Sequence, residues 1–282
     1  MSETGSQMTG IEVIQVHPDL RVVGSNRLNG NMYQRFSDGN RFYESRMRVI
    51  GAAGCDKTVA ILPGGRDTYQ DLEQGTIVAP KEAYSKWQED LQPVGDIVYD
   101  PEDPPYMVDL PADGLITRRT GNGLMLNAAD CAPTVIYDPR LRILALAHNG
   151  REGATLGIGP KLVDHMRRVY GTRPPDLVVH FGASIAPESY VLPRLGESLR
   201  QEAWRPYLRE VQGGYETDIV GLATQNLLDR GVTGGNITRS PIDTFAHPDY
   251  FSFVEHSGNK SNVPDGRNGF IAVMRKTELQ PV

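Results

Sequence analysis

The stretch from Asn127 to Gly150 constrains the fold of this chain more than any other. It holds two apolar runs, Ala132-Pro133-Thr134-Val135-Ile136-Tyr137 and Ile143-Leu144-Ala145-Leu146-Ala147, separated by a short turn at Asp138-Pro139. Such runs on either side of a turn specify an antiparallel hairpin. Cys131 stands at the outer end of the first run and His148 at the outer end of the second. If the turn centres on Pro139 and Arg140, the two residues face one another across the pair and share one face. A loop of two or four residues keeps them together, whereas an odd loop sends them to opposite faces.

A thiol and an imidazole held together support two chemistries. Both are preferred zinc donors, and an imidazole can also activate a thiol as a nucleophile. A third reading is a small buried cysteine beside a satisfied core histidine. Asn149-Gly150, directly after the second run, places His148 at a strand end, where sites are commonly built.

The rest of the chain narrows the classes. Its 282 residues suffice for one large domain or two small ones. A formal net charge of -6 argues against a dedicated nucleic-acid binder, which needs a basic surface. Only two cysteines occur, Cys55 and Cys131, so there is no disulfide framework and a reducing, cytoplasmic setting is expected. Residues 1–10 are polar and read as a frayed tail rather than a secretory signal, leaving 11–282 as the domain. No apolar run approaches the roughly 18 to 20 residues that span a bilayer, so no membrane partner is expected.

Alternation over Ile11–His17 and Leu20–Gly24 predicts two half-exposed antiparallel strands around Pro18-Asp19. A helix is expected from Arg41 to Ile50, ending near Gly51, and a short strand over Thr58–Leu62. Pro80–Leu91 reads as a helix, and the proline-rich, acidic Pro93–Pro111 as an extended surface loop. Helical stripes over Gly157–Tyr170 and Thr217–Arg230 end at Gly171 and Gly231, and strands are expected at Asp176–Phe181 and Gly269–Met274. This irregular mixture favours α+β over a doubly wound sheet.

Several phrases, taken in order, resemble one family. Ala112-Asp113-Gly114-Leu115-Ile116-Thr117 precedes Ala129-Asp130-Cys131-Ala132-Pro133, then Asp138-Pro139, then Ala147-His148-Asn149-Gly150. Gly182-Ala183-Ser184-Ile185-Ala186-Pro187-Glu188-Ser189-Tyr190 follows, and Asp243-Thr244, Tyr250-Phe251-Ser252-Phe253 and Gly266-Arg267 close the series. The pattern, over Ala112 to Met274, is similar to that of the laccase-domain family, also called the multicopper polyphenol oxidoreductase or YfiH-like family. The resemblance implies a single α+β domain of layered sheets and helices, related to deamidating toxins that use a Cys-His pair. It implies a zinc ion held by two histidines and one cysteine. It also implies small-molecule substrates, with phosphorolysis of adenosine, inosine and guanosine and deamination of adenosine. An older family label implies copper-dependent oxidation of polyphenols, with copper the less favoured cofactor. Cys131 and His148 fall on two of the three ligand positions.

The departures from the pattern are informative. The family's first ligand is the histidine of a Gln-Val-His-Gly stretch, and the corresponding region here reads Leu62-Pro63-Gly64-Gly65-Arg66-Asp67. Asp67 becomes the candidate third ligand, since no histidine lies between His17 and His148. After His148 the family continues Ala-Gly-Trp-Arg-Gly, where this chain has Asn149-Gly150-Arg151-Glu152-Gly153. An arginine grips phosphate through two parallel hydrogen bonds, and a glutamate in its place repels the anion. Arg151, one position earlier, is the candidate substrate-binding cation. Val254-Glu255 likewise stands where the family carries arginine, and together these changes argue against ordinary phosphorolysis.

Three functions remain open. One is a zinc enzyme acting on purine nucleosides, with water activated at the metal for deamination or hydrolysis. A second is a metal-free hydrolase or deamidase with Cys131 as nucleophile and His148 as base. The third is a non-catalytic binding member of the family. Other candidates have plainer readings. His17 belongs to an exposed hairpin, His165 to a helix boundary and His180 to a packed strand. His247 and His256 border the C-terminal match, Asp113 reads as a turn former and Glu152 as a solvated loop residue.

Overall fold

The computed structural model describes residues 10–32, 41–63, 68–73, 76–78, 106–259 and 262–276. Strands β1 (Ile11–Ile14) and β2 (Leu20–Ser25) pair antiparallel, as the alternation predicts, but β2 is buried rather than half-exposed because it lies between β1 and the C-terminal strand at Asn268–Met274. Helix α1 (Arg41–Ala53) continues past Gly51, where a helical glycine is tolerated, and stops at Gly54, whose φ of 67° ends it. Next come β3 (Lys57–Leu62), the three-residue β4 (Tyr69–Asp71) and β5 (Thr76–Val78).

Strand β6 (Tyr106–Pro111) corrects the loop expected over Pro93–Pro111, because it pairs parallel with β3 along its whole length. Its one proline is the last residue, so the neighbouring prolines flank the ladder rather than interrupt it. The tail up to residue 9, the Gly64–Asp67 stretch, the Pro80–Leu91 helix and residues 93–105 of that loop lie outside the described residues.

Strands β7 (Gly114–Thr117), β8 (Asn122–Ala128), β9 (Ala132–Asp138) and β10 (Ile143–Asn149) lead into helices α2 (Arg151–Leu156) and α3 (Ile158–Tyr170). Beyond β11 (Val178–Phe181), a small three-stranded sheet joins β12 (Val191–Leu192), β13 (Leu208–Val211) and β14 (Gly214–Thr217). Helix α4 (Ile219–Leu228), β15 (Ile237–Arg239), α5 (Phe253–Gly258) and β16 (Asn268–Met274) complete the order.

A six-stranded sheet runs β1-β2-β16-β8-β3-β6, and a seven-stranded sheet runs β15-β11-β9-β10-β7-β4-β5. The two stack face to face over a core that includes Leu124, Leu126, Val135, Leu144, Leu146 and Phe270. Helices α3 and α4 cover the outer face of the seven-stranded sheet through Leu162, Met166, Leu222 and Leu227. Helix α1 covers the outer face of the other sheet through Val49 and Ile50. With both faces covered, β9 and β10 must be apolar on both sides, which is why they read as continuous apolar runs. The architecture is the α+β layering expected from the sequence. No helix among the described residues is long and apolar enough to cross a membrane.

The register of the central hairpin departs from the expected one. The turn centres one residue later, so His148 pairs with Pro133 rather than with Cys131. Asp138 is the cause: its Oδ1 accepts from the amides of Arg140 and Leu141, both at 3.0 Å, and draws residues 139–142 into the loop. The loop is even in length, so the side-chain parity survives. Cys131 and His148 stay on the face toward the six-stranded sheet, diagonal rather than directly opposite.

Candidate functional site

The site lies where β9 begins and β10 ends, at the edge of the gap between the two sheets. Position 131 falls opposite Gly150 in the extended register. A Cβ at Gly150 would stand 2.7 Å from Cys131 Sγ and 3.7 Å from His148 Cε1, so the missing side chain makes the room in which thiol and imidazole meet. The strand end is held firmly. Asn149 Nδ2 donates to Thr134 Oγ1 at 2.8 Å, and α2 starts at once with the Ala154 amide bonded to Gly150 O at 2.9 Å. Gly153 has no side chain to keep α2 off the His148 carbonyl.

Asp113 stands at a bend between β6 and β7, as its Asp-Gly sequence predicts, and it also reaches His148. Its carboxylate, 1% exposed, accepts from His148 Nδ1 at 3.1 Å, while its carbonyl accepts from the His148 amide at 2.8 Å. With Nδ1 committed to Asp113, Nε2 is the nitrogen left for Cys131, the imidazole's other hydrogen-bond partner. Burial alone would push the His148 pKa down; the charge of Cys131 and the hydrogen bonds from Asp113 and Cys131 override it and raise it to about 10. The three groups form a line, cysteine to imidazole to carboxylate, in which the carboxylate holds the Nδ1 proton and fixes the ring's orientation.

Two further residues complete the surroundings. Burial pushes the Tyr190 phenol up to about 12, with Arg151 pulling it down and Cys131 and Asp130 pushing it up, so these three charges surround a neutral hydroxyl. Asp130, beside Cys131, is raised by burial, against hydrogen bonds from the Val254 amide, Thr244, Ser252 and the Phe253 amide. Thr244 Oγ1 donates to its Oδ1 at 2.7 Å and the Val254 amide to its Oδ2 at 2.9 Å, which ties the start of α5 to the cysteine strand. Tyr190 and Asp130 stood inside the matched phrases, but spacing alone gave no reason to assign them to the site.

The sequence candidates separate cleanly. Cys131 and His148 come together, and Arg151 reaches the electrostatic surroundings of Tyr190 from the first turn of α2. Asp67 lies outside the described residues, and among the described residues no group of three His, Cys, Asp or Glu side chains is placed to hold a metal. Glu152 is helical rather than in a loop, and accepts from Ser198 Oγ at 3.0 Å. Glu255 is paired with Arg27 at 3.4 Å. His17 accepts from the Asp19 amide within its hairpin, His180 is packed as expected, and His165 is buried rather than at a boundary. His247 Nδ1 accepts from the Asp249 amide, and His256 Nδ1 donates to the Val263 carbonyl.

Gly150→Ala tests the geometry. The backbone at φ −89° and ψ −172° suits alanine, so the fold stands while Cys131 Sγ is displaced. Activity is expected to fall about 100-fold, with a thermal midpoint within a few degrees of wild type. An unchanged rate would remove Cys131 from the chemistry.

A family model described as multi-copper polyphenol oxidoreductase laccase matches residues 82–274. A purine nucleoside phosphorylase of Bacteroides thetaiotaomicron is 29% identical over 157 residues, which is 53% of this chain and 57% of that protein. The human purine nucleoside phosphorylase LACC1 is 30% identical over 171 residues, 57% of this chain and 38% of its own length. The chain spans about half the length of the curated relatives it matches. YlmD from Geobacillus stearothermophilus aligns with a TM-score of 0.74 at 21% identity, over 96% of this chain and 98% of that one. The hypothetical protein YfiH of Bacillus licheniformis aligns with a TM-score of 0.72 at 19% identity, over 95% and 98%. At these identities the structural likenesses establish the fold alone. The sequence match, however, runs through the whole central hairpin and on to β16, and by it the chain belongs to the multi-copper polyphenol oxidoreductase laccase, or YfiH-like, family.

Proposed function

We propose that this chain is an enzyme acting on purine nucleosides at the Cys131–His148 pair. The observation that carries the reading is the line from Cys131 through His148 to the buried Asp113 carboxylate. The names of the curated relatives support the substrate class. Glu152 disfavours phosphate as the attacking group, since it brings a negative charge to the first turn of α2, at the position where the family pattern carries an arginine. Water is therefore the proposed nucleophile, displacing ammonia from the purine C6 or the free base from the ribose C1′.

Two of the donors that a zinc site takes stand together here. A thiol and an imidazole are both zinc donors, and a buried carboxylate on the imidazole's other nitrogen is the arrangement that orients metal-bound histidines. Cys131 and His148 would hold the ion, with Asp67 as the third donor. Bound there, zinc supplies water activation at neutral pH. Zinc rather than copper is proposed because nucleoside cleavage and deamination transfer no electrons. The neutral Tyr190 phenol donates a hydrogen bond to a substrate oxygen, Arg151 steers the polar end of the nucleoside, and Asp113 keeps the His148 ring in one tautomer.

The same line of three residues favours one second reading, a metal-free hydrolase or deamidase. There the His148 imidazole holds the Cys131 proton, the sulfur attacks an amide carbon, the C–N bond breaks as His148 passes the proton to the departing amine or ammonia, and water then cleaves the thioester to the carboxylic acid and the free thiol.

The test is metal content of untagged protein beside Cys131→Ala, followed by incubation with adenosine, inosine and guanosine with and without phosphate. Near-stoichiometric zinc lost in the variant is expected, with turnover that does not need phosphate. Ribose 1-phosphate as the product would restore phosphorolysis, and no turnover by zinc-loaded protein would leave a binding protein.

A further inference from the structure

Outside the site, a polar cluster is buried within the otherwise apolar layer between the seven-stranded sheet and α3. His165 Nε2, on α3, donates to Asp71 Oδ2 of β4 at 2.7 Å, and both side chains are at most 2% exposed. The Tyr170 hydroxyl reaches the same carboxylate at 2.6 and 2.8 Å, and the Glu73 amide donates to Asp71 Oδ1 at 3.0 Å. On its other side, His165 Nδ1 accepts from the Tyr69 hydroxyl at 3.2 Å and from Arg168 at 3.4 Å. A guanidinium only donates, so the ring is held as the Nε2–H tautomer, with both nitrogens engaged.

A packed apolar cluster of the same volume often serves stability as well, whereas the polar one adds directional bonds that tie α3 to one strand. Strand β4 is the element that needs fixing. Its three residues make a short ladder with β7, Tyr69↔Gly114 to Asp71↔Ile116, and on the other side pair only with the equally short β5, so few backbone bonds hold it. The residue just before it, Thr68, offers its carbonyl to the amides of Asp113 at 2.7 Å and Gly114 at 3.2 Å. Leu162 of α3 closes on Gly114 from outside; a Cβ there would stand 3.1 Å from its methyl groups. The chain of contacts is continuous from α3 through Asp71, Thr68 and Asp113 to His148.

We propose that the Tyr69–His165–Asp71–Tyr170 cluster is a positioning device for the site. By locking β4, it holds the backbone of Asp113, and through that carboxylate the orientation of the His148 ring. The inference rests on the reading of Cys131, His148 and Asp113 as the reactive line. His165 and Tyr170 touch none of these groups and act only through β4.

The experiment measures amide hydrogen exchange together with kcat and KM in His165→Leu, His165→Gln and Tyr170→Phe. Glutamine can still donate to Asp71, and Tyr170→Phe removes one hydroxyl from a half-buried ring. In His165→Leu and Tyr170→Phe, exchange at Asp113 and Gly114 is expected to rise at least about tenfold while the β9–β10 amides keep wild-type rates. Turnover is expected to fall about tenfold with KM unchanged, and His165→Gln to restore both. Wild-type exchange at Asp113 and Gly114 in Tyr170→Phe, or acceleration spread evenly over both sheets, would overturn the proposal even if His165→Leu fails to fold. If the wild-type protein turns over no nucleoside, the proposed function fails, yet the exchange measurement still decides the link from β4 to Asp113.

Discussion

Asp113→Asn is expected to lower turnover by ~10- to 100-fold if His148 holds a metal, and by ~10⁴-fold if His148 serves Cys131 as a base. The difference follows from what the carboxylate does in each case. Behind a metal ligand it sharpens the orientation of a ring that the ion already holds. Behind a general base it alone selects the tautomer, and an asparagine turned to present its NH₂ leaves Nδ1–H without an acceptor. The fold is expected to survive, because the Asp113 backbone bonds to Thr68 and His148 are untouched by the change. The check is kcat on adenosine and inosine beside zinc affinity measured against a chelator. A metal role predicts that both fall together, and a base role predicts loss of kcat alone. A loss of less than about threefold would remove Asp113 from the chemistry.

The second large effect concerns stability. His180 lies on β11, 6% exposed, with Nδ1 bonded to Thr238 Oγ1 at 3.0 Å and, among the described residues, no partner for Nε2. Burial lowers its pKa from the ordinary histidine value of about 6.5 to about 4. The unfolded chain takes up the proton near 6.5 and the folded chain only near 4, so stability is full above 6.5 and falls as pH drops toward 4. Two and a half pK units at about 1.4 kcal/mol each make this a loss of about 3 kcal/mol. Asp130, whose pKa is raised by burial, works in the opposite direction, so the wild-type slope alone does not isolate the histidine. His180→Leu does: Thr238 Oγ1 keeps a bond to the Val179 carbonyl, so no new polar group is stranded. Urea unfolding at pH 7 and pH 4.5 should show the variant losing about 2 to 3 kcal/mol less than wild type. Equal losses would mean that His180 is protonated within the fold.

What could be read from the sequence was whatever local chemistry writes down. The alternation of β1 and β2, the stripes of α3 and α4 and the apolar runs of β9 and β10 all appear where periodicity places them. The shared face of Cys131 and His148 follows from parity, which needs only an even loop. The register itself was not legible, because Asp138 reads equally well as the end of a strand and as the residue that opens a turn. Asp113 was hidden by its own sequence, since Asp-Gly is turn chemistry wherever it occurs, and its bond to His148 spans 35 positions. His165 is a similar case: its partner Asp71 lies 94 residues away, and helical periodicity alone puts it at the boundary of the apolar stripe. The prolines before Tyr106 masked β6, although its ladder begins only after them.

The turn that Asp138 builds has a consequence for how relatives of this protein diverge. Its loop sits at the opposite end of the hairpin from Cys131 and His148, outside both strands. The strands are buried on both faces, so their packing keeps the register and the loop absorbs an added or lost residue. Lineages that still use the pair should therefore vary freely in this loop while the spacings from Cys131 to Asp138 and from Ile143 to His148 stay fixed. A single residue gained or lost inside either strand would point cysteine and histidine to opposite sides of the sheet.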